Sequence, residues 1–288
     1  MLKDADINQR IQRVYIRLSK GHKKIANAIL YNHEKTAYMT AERLANFANV
    51  SESTVIRFAN ELGYEGYSEF QRASQELVRT KLTPNQRIEL SKQMMQGSDI
   101  TDKVMSSDIA KIRRTFEQLD RLTFSSAVSS ILGAKNIYII GARSAETLAL
   151  LLKYNLSLIF DNVKFIQPNS TAEVFEQMFT IDEGDVLIAF SFPRYSSKVV
   201  SAVKYAKQRS ARVIVITDSS LSPLAEHATY LLLAESDMAS YMDSLVAPMS
   251  LINAIIIEIT NRRERTIRDR FDRLEQVWEE YGVFTKRQ

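Results

Sequence analysis

Between Ser51 and Asn60 the chain reads Ser-Glu-Ser-Thr-Val-Ile-Arg-Phe-Ala-Asn. A helix over this stretch would present Ser51, Glu52, Ser53, Thr54, Arg57 and Asn60 as its non-apolar positions, while Val55, Ile56, Phe58 and Ala59 mostly turn inward. Arg grips guanine or phosphate through two parallel hydrogen bonds, and Ser and Thr suit either target. Lys23 and Lys24, further upstream, carry charges suited to phosphate. A second set of groups suits a small anion: Arg143 and Ser144 in GARSAE, then Ser191, Arg194, Ser196 and Ser197 in SFPRYSSK. Hydroxyls and backbone N–H groups at a helix start match the charge and acceptor oxygens of phosphate. Each set also has an ordinary reading, as a solvated helix face, capping serines or surface ion pairs.

The first set needs two crossing helices to hold it. In Met39–Phe70, Leu44, Ala48, Val50, Val55 and Phe58 are spaced to bury the inner faces of such a pair, and Ala45 is small where they touch. Asn49 and Val50 make the turn, and Asn tolerates a left-handed backbone. Ser51 stands where an N-cap belongs. This is a helix-turn-helix pattern, whose second helix lies in the DNA major groove. Upstream, Ser19 caps a helix with Ile25, Ala28, Ile29 and Leu30 at apolar positions. Downstream, Gly63 ends the recognition helix and Gly66 allows a further turn. Leu18 to Gln71, above all VSESTVIRFANELGYEGYSEF, resembles the N-terminal domain of the RpiR family of bacterial sugar-responsive transcriptional regulators. The resemblance implies an all-helical, DNA-binding head.

Composition bounds the alternatives. With 288 residues, two domains are the natural expectation, and 45% hydrophobic content suffices for packed cores. Net charge is +4, and residues 1–80 hold 12 Lys and Arg against 9 Asp and Glu, so most of the surplus sits in the head. That bias fits specific contacts with moderate attraction to DNA. There is no cysteine, which excludes disulfides, thiol catalysis and cysteine-held zinc, and three scattered histidines make no metal motif. No cofactor or metal is expected. No apolar run reaches membrane-spanning length and the first residues lack a secretory pattern, so a cytoplasmic protein with no membrane partner is expected.

Thr80, Pro84 and Asn85 interrupt helical patterning, and QGSDITD supplies a turn and a new helix start. The expected division is a head over 1–80, a connector over 81–100 and a second domain over 101–288. Asp102 to Leu119 reads as a helix with Val104, Ile109, Ile112, Phe116 and Leu119 near one face. From Asn136, the apolar runs NIYIIG, VKFI, DVLIAFSF, RVIVIT and TYLLLA read as strands buried on both faces. Helical stretches, SPLAEHA among them, separate them, which implies a parallel, doubly wound α/β sheet. Ligands bind such sheets beyond the carboxyl ends of the strands, here the loops after Ile140, Phe190 and Ile216.

The stretch from about Leu119 to Ser236 resembles the SIS (sugar isomerase) domain, a phosphosugar-binding module. A helix-turn-helix followed by a SIS domain is the RpiR architecture, so the resemblance covers most of the chain. Two loops depart from the usual pattern. A Gly-x-Gly-x-Ser first loop is here GARS, with Arg143 near the second glycine. A Ser-x-Ser-Gly-x-Thr second loop is here Ser191-Phe-Pro-Arg-Tyr-Ser196. Ser144, Ser191 and Ser196 keep the hydroxyls, while the arginines narrow the pocket and add charge. This leaves room for an anionic metabolite other than the usual hexose phosphate.

After Ser240 two long helices follow, the second with Ile267, Phe271, Leu274 and Trp278 as an apolar stripe. The expected protein is a homodimer or homotetramer. It binds a double-stranded DNA operator and responds to a phosphorylated sugar or related anion. Two alternatives remain: a SIS-type isomerase using Glu146, Glu226 or His227 as base, and a ligand-independent scaffold that only pairs the DNA heads.

Overall fold

Apolar residues at helical spacing in the first third of the chain fold into short helices in a computed structural model that describes residues 7–79, 82–95, 99–237 and 240–284. Two units emerge: Met1–Ser98 with Met238–Met242, and Asp99–Asp237 with Asp243–Gln288. The expected interruption at Thr80 and the turn over 96–98 lie outside the described residues.

The first unit contains α1 (Ile7–Val14), α2 (Lys20–Tyr31), α3 (His33–Thr36), α4 (Ala41–Ala48), α5 (Glu52–Glu61), α6 (Tyr67–Arg79) and α7 (Pro84–Met95). Its core gathers Ile11, Ile25, Ile29, Leu44, Val55, Phe58, Leu62 and Phe70. Ser19 caps α2 by accepting the His22 N–H, and Thr40 caps α4 by accepting that of Arg43. The α4–α5 turn depends on Asn49, which is left-handed at φ 53° and ψ 60°, and Val50 N–H returns to the Ala45 carbonyl at 3.0 Å. Gly63, at φ +86°, ends α5. Tyr67 Oη and Gln71 Nε2 both donate to the Met39 carbonyl, at 2.8 and 2.5 Å, fixing the chain just ahead of α4. Two expectations need correction. Pro84 opens α7 instead of breaking a helix, because a first-turn residue has no intrahelical N–H bond to lose. Ile56 faces outward, since Val55, Phe58, Ala59 and Leu62 already fill the buried arc of α5.

The second unit begins with α8 (Ile100–Gln118) and α9 (Arg121–Leu132). It continues through β1 (Ile137–Gly141), α10 (Ser144–Ser157), β2 (Val163–Ile166), α11 (Thr171–Met178), β3 (Val186–Phe190), α12 (Ser197–Gln208), β4 (Arg212–Thr217), β5 (Tyr230–Leu233), α13 (Val246–Arg262) and α14 (Glu264–Glu280). All strand pairs are parallel, in the order β2-β1-β3-β4-β5. Alternate strand residues face opposite sides. Ile137, Ile139, Ile188 and Ile214 pack with α9, α10 and α13, whereas Tyr138, Ile140, Leu187 and Val213 pack with α11 and α12. The order reverses between β1 and β3, where Gly141 pairs with Phe190, so the loops after these two strands lie side by side.

SPLAEHA, expected as a helix, forms only a 3-10 turn at Ala225–His227. The stripe expected to pack along α8 also splits. Lys111 and Thr115 are buried, whereas Ile109 and Phe116 are 59% and 64% exposed. Polar partners set this rotation. Lys111 Nζ donates to Ser107 Oγ and Asp108 Oδ1, and Thr115 Oγ1 accepts the Glu235 N–H at 2.9 Å. Ser244 Oγ donates to Asp108, and Arg114 pairs with Glu235 and Asp237. On α14, Ile267 is buried while Phe271, Leu274 and Trp278 are half-buried.

Candidate functional site

In the first unit, Ser51, Ser53, Arg57 and Asn60 are exposed and Thr54 is half-buried. Ser51 holds the N-cap position, yet its hydroxyl caps no backbone N–H. It bonds the hydroxyls of Ser53 at 3.0 Å and Thr54 at 2.8 Å instead. Arg57 Nε donates to the Ser53 carbonyl at 3.2 Å, which lays the guanidinium along the first turns of α5. The start of α2 reaches the same place. A Cβ on Gly21 would meet Thr54 Cγ2 at 3.4 Å, and Lys24 Nζ donates to the Asn49 carbonyl at 3.3 Å. Lys24 is therefore tied to the turn that leads into α5, while Lys23 Nζ lies 5.9 Å from the Tyr15 ring centroid. His22 Nδ1 bonds the Glu61 carboxylate, and its ring meets Phe58 edge-on, joining α2 to the last turn of α5.

In the second unit, β1 passes to α10 through Ala142 and Arg143 alone. Gly141 makes this possible. A Cβ there would strike the Ala145 carbonyl group, with its carbon at 2.9 Å and Ala149 Cβ at 3.0 Å. Arg143 takes φ +59°, ψ −131° at the α10 N-cap, a region that L residues seldom adopt and that often marks a functional site. Its side chain caps nothing. Ser144 is the first helical residue and exposed, so it does not hold the N-cap position that the ordinary capping reading would give it.

The β3–α12 loop is better tied. Ser191 is buried, its Oγ accepts the Ser196 N–H at 3.3 Å, and its carbonyl accepts Thr217 Oγ1 at 2.7 Å. Tyr195 Oη donates to Asp218 Oδ1 at 3.1 Å, which assigns the loop after β4 a bracing role. Ser196 occupies the α12 N-cap without capping through its hydroxyl, and Ser197 and Arg194 are exposed. By contrast, Ser170, Asp120 and Asp99 cap their helices through side-chain oxygens. Helices α10 and α12 thus start at adjacent strand ends with no cap from the side chains of their N-cap residues and with serine hydroxyls beside them, an arrangement suited to an oxyanion.

The candidate bases fall on two different elements. Glu146 is half-buried in the first turn of α10, and the exposed Glu226 pairs with His227 at 3.1 Å after β4. Among the described residues, no group of three or more acidic or histidine side chains could hold a metal, and no helix is long and apolar enough to cross a membrane. Sequence reasoning missed Lys198, whose Nζ ties α12 to the carbonyls of Pro168 and Asn169 at 2.8 and 2.6 Å. No local spacing signals that long-range contact. It also missed the outward Ile56, which a helical projection against Val55, Phe58, Ala59 and Leu62 would have revealed.

The model for the helix-turn-helix domain of the rpiR family matches residues 5–78, and that for the SIS domain matches residues 130–258. An uncharacterized HTH-type transcriptional regulator of Haemophilus influenzae is 28% identical over 235 residues, 81% of each chain. The HTH-type transcriptional regulator HexR of Escherichia coli is 24% identical over 282 residues, 94% of each chain. Among solved structures, the Vibrio vulnificus NanR protein complexed with ManNAc-6P aligns over 96% of this chain and 99% of its own. Its TM-score is 0.58 at 22% identity, a likeness of fold. The chain thus joins a helix-turn-helix domain of the rpiR family to a SIS domain, the two together spanning most of its length.

Proposed function

We propose that this protein is a transcriptional regulator whose head binds a double-stranded DNA operator and whose SIS domain takes a phosphorylated sugar or related anionic metabolite as effector. One observation supports both halves. Ser51, Arg143 and Ser196, the N-cap residues of α5, α10 and α12, make no side-chain cap, unlike Ser19, Thr40 and Ser170. At α5, Ser51, Ser53, Thr54, Arg57 and Asn60 contact bases and phosphates, with Lys23 and Lys24 on phosphate. At the sheet edge, Ser144, Ser191 and Ser196 hold the effector, with Arg143, Arg194 and Ser197 around it. The protein acts in the cytoplasm without catalysis, with a head over 1–80, a connector over 81–100 and a sensor over 101–288. It works as a homodimer or homotetramer, an assembly supported by the exposed apolar side of α8 at Ile109, Ile112 and Phe116. Paired heads then read half-sites about 34 Å apart or a multiple of that. Likeness to regulators such as HexR, and to a NanR structure holding a phosphosugar, supports this reading.

The test uses the full-length protein in two measurements. Selection from a random duplex library asks whether a DNA motif is enriched. Thermal unfolding against sugar phosphates and their unphosphorylated counterparts asks for a ligand, because binding at a hundredfold excess over Kd stabilises by about 2.7 kcal/mol. The reading requires a motif whose affinity changes with a phosphorylated compound. An effector can act only if it binds the DNA-competent and incompetent states unequally. An enriched motif indifferent to every such compound leaves the scaffold reading, and turnover of a phosphosugar leaves the isomerase reading.

A further inference from the structure

We propose that Ile56 reads the 5-methyl group of a thymine in the DNA site, an inference that rests on the DNA-binding reading of α5. Val55, Phe58, Ala59 and Leu62 are each at most 1% exposed and define the side of α5 turned to the core. At 3.6 residues per turn, Ile56 falls outside that arc, beside Asn60 and one turn from Ser53. Its side chain is 40% exposed. It is thus an outward isoleucine on the face that also carries exposed Ser53, Arg57 and Asn60.

An isolated exposed apolar residue ordinarily needs no explanation. Here its neighbours define its surroundings. Ser53, Arg57 and Asn60 offer hydrogen bonds, whereas Ile56 offers only apolar contact. In the major groove, the apolar group on a base edge is the thymine methyl, which small and branched apolar side chains contact. A β-branched side chain in a helix is nearly confined to one χ1 rotamer, so its methyl groups are held in place before DNA arrives.

The test starts from duplexes enriched by the full-length protein out of a random library. Each thymine of the motif is replaced in turn by deoxyuridine, which removes only the methyl group. The unaltered protein is expected to lose about threefold to fivefold in affinity at one thymine of each half-site, the effect of withdrawing one buried methyl-sized group. Ile56→Ala should bind thymine and uracil duplexes equally at that position, and Ile56→Val should keep part of the preference. Melting temperatures verify that both variants are folded. Equal binding of the unaltered protein to both duplexes at every position overturns the inference. So does a motif without thymine, or an undiminished preference in Ile56→Ala. If no sequence is enriched at all, the DNA-binding reading falls and takes the inference with it, an outcome distinct from the others.

Discussion

The hydroxyl oxygen of Ser191 accepts the backbone N–H of Ser196 at 3.3 Å, closing the β3–α12 loop across five residues. The two serines therefore differ in what their loss removes. Ser191→Ala deletes the loop's own bond and should lower stability by about 1 kcal/mol, the ordinary worth of one such hydrogen bond. Ser196→Ala leaves that bond intact, because the donor is backbone. Denaturant unfolding should separate them, while both variants should lose the thermal stabilisation given by an effector. Equal stability of the two would show that the loop does not depend on Ser191.

Gly141→Ala should be the most damaging small change in the second unit. The added Cβ meets the Ala145 backbone, which cannot rotate away as a flexible side chain would. Overpacking of this kind costs about 1–3 kcal/mol, or more when backbone must move. Urea unfolding should show the midpoint falling with an unchanged slope. A loss below about 0.5 kcal/mol would mean that α10 shifts freely on β1.

Arg57→Ala and Lys24→Ala should weaken DNA binding in different ways. Arg57 lies along the recognition face, so its loss should reduce affinity for the selected motif by about tenfold and relax preference at one position. Lys24 lies beside the turn, and its removal should weaken all sequences alike and lower the salt slope by about one unit. Fluorescence anisotropy against salt concentration distinguishes the two. Unchanged motif affinity in Arg57→Ala would remove α5 as the reading helix.

Two surface carboxylates should contribute to the acid limb of stability. Thr123 Oγ1 and the Leu122 N–H hold the Asp120 carboxyl below its ordinary value, and the Gly184 N–H followed by Lys135 does the same for Asp182. A folded-state pKa below the unfolded one gives stability that is present above the ordinary aspartate range. It is lost as pH falls through that range and the lowered values. Melting curves from pH 7 to pH 3 should therefore fall less steeply for Asp120→Asn and Asp182→Asn than for the unaltered protein. Identical slopes would show that neither carboxylate is linked to folding.

The parts of the fold most legible in the sequence were those buried on every side. Runs such as Ile137–Ile140 and Val213–Ile216 are apolar throughout because helices cover both faces of the sheet. The Asn49 turn was legible too, since few residues tolerate its left-handed backbone. Helices with one wet face were read less well. On α8, apolar spacing singled out Ile109 and Phe116, but the buried side carries Lys111, held by Ser107 and Asp108 of its own helix, and Thr115, while Thr115 and Asp108 meet Glu235 and Ser244 from more than a hundred positions away. The candidate effector loops were located by the strand ends, but not their wiring. Thr217 and Lys198 hold them through contacts that no local pattern encodes.

The link from β1 to α10 is two residues long and leaves Gly141 no space for even a methyl group. A segment so short and crowded has little conformational freedom to surrender. An anion seated there would bind without a large ordering penalty, and it would meet a rigid template. Adaptation to differently shaped sugars would then fall to the longer strand-to-helix connection beside it.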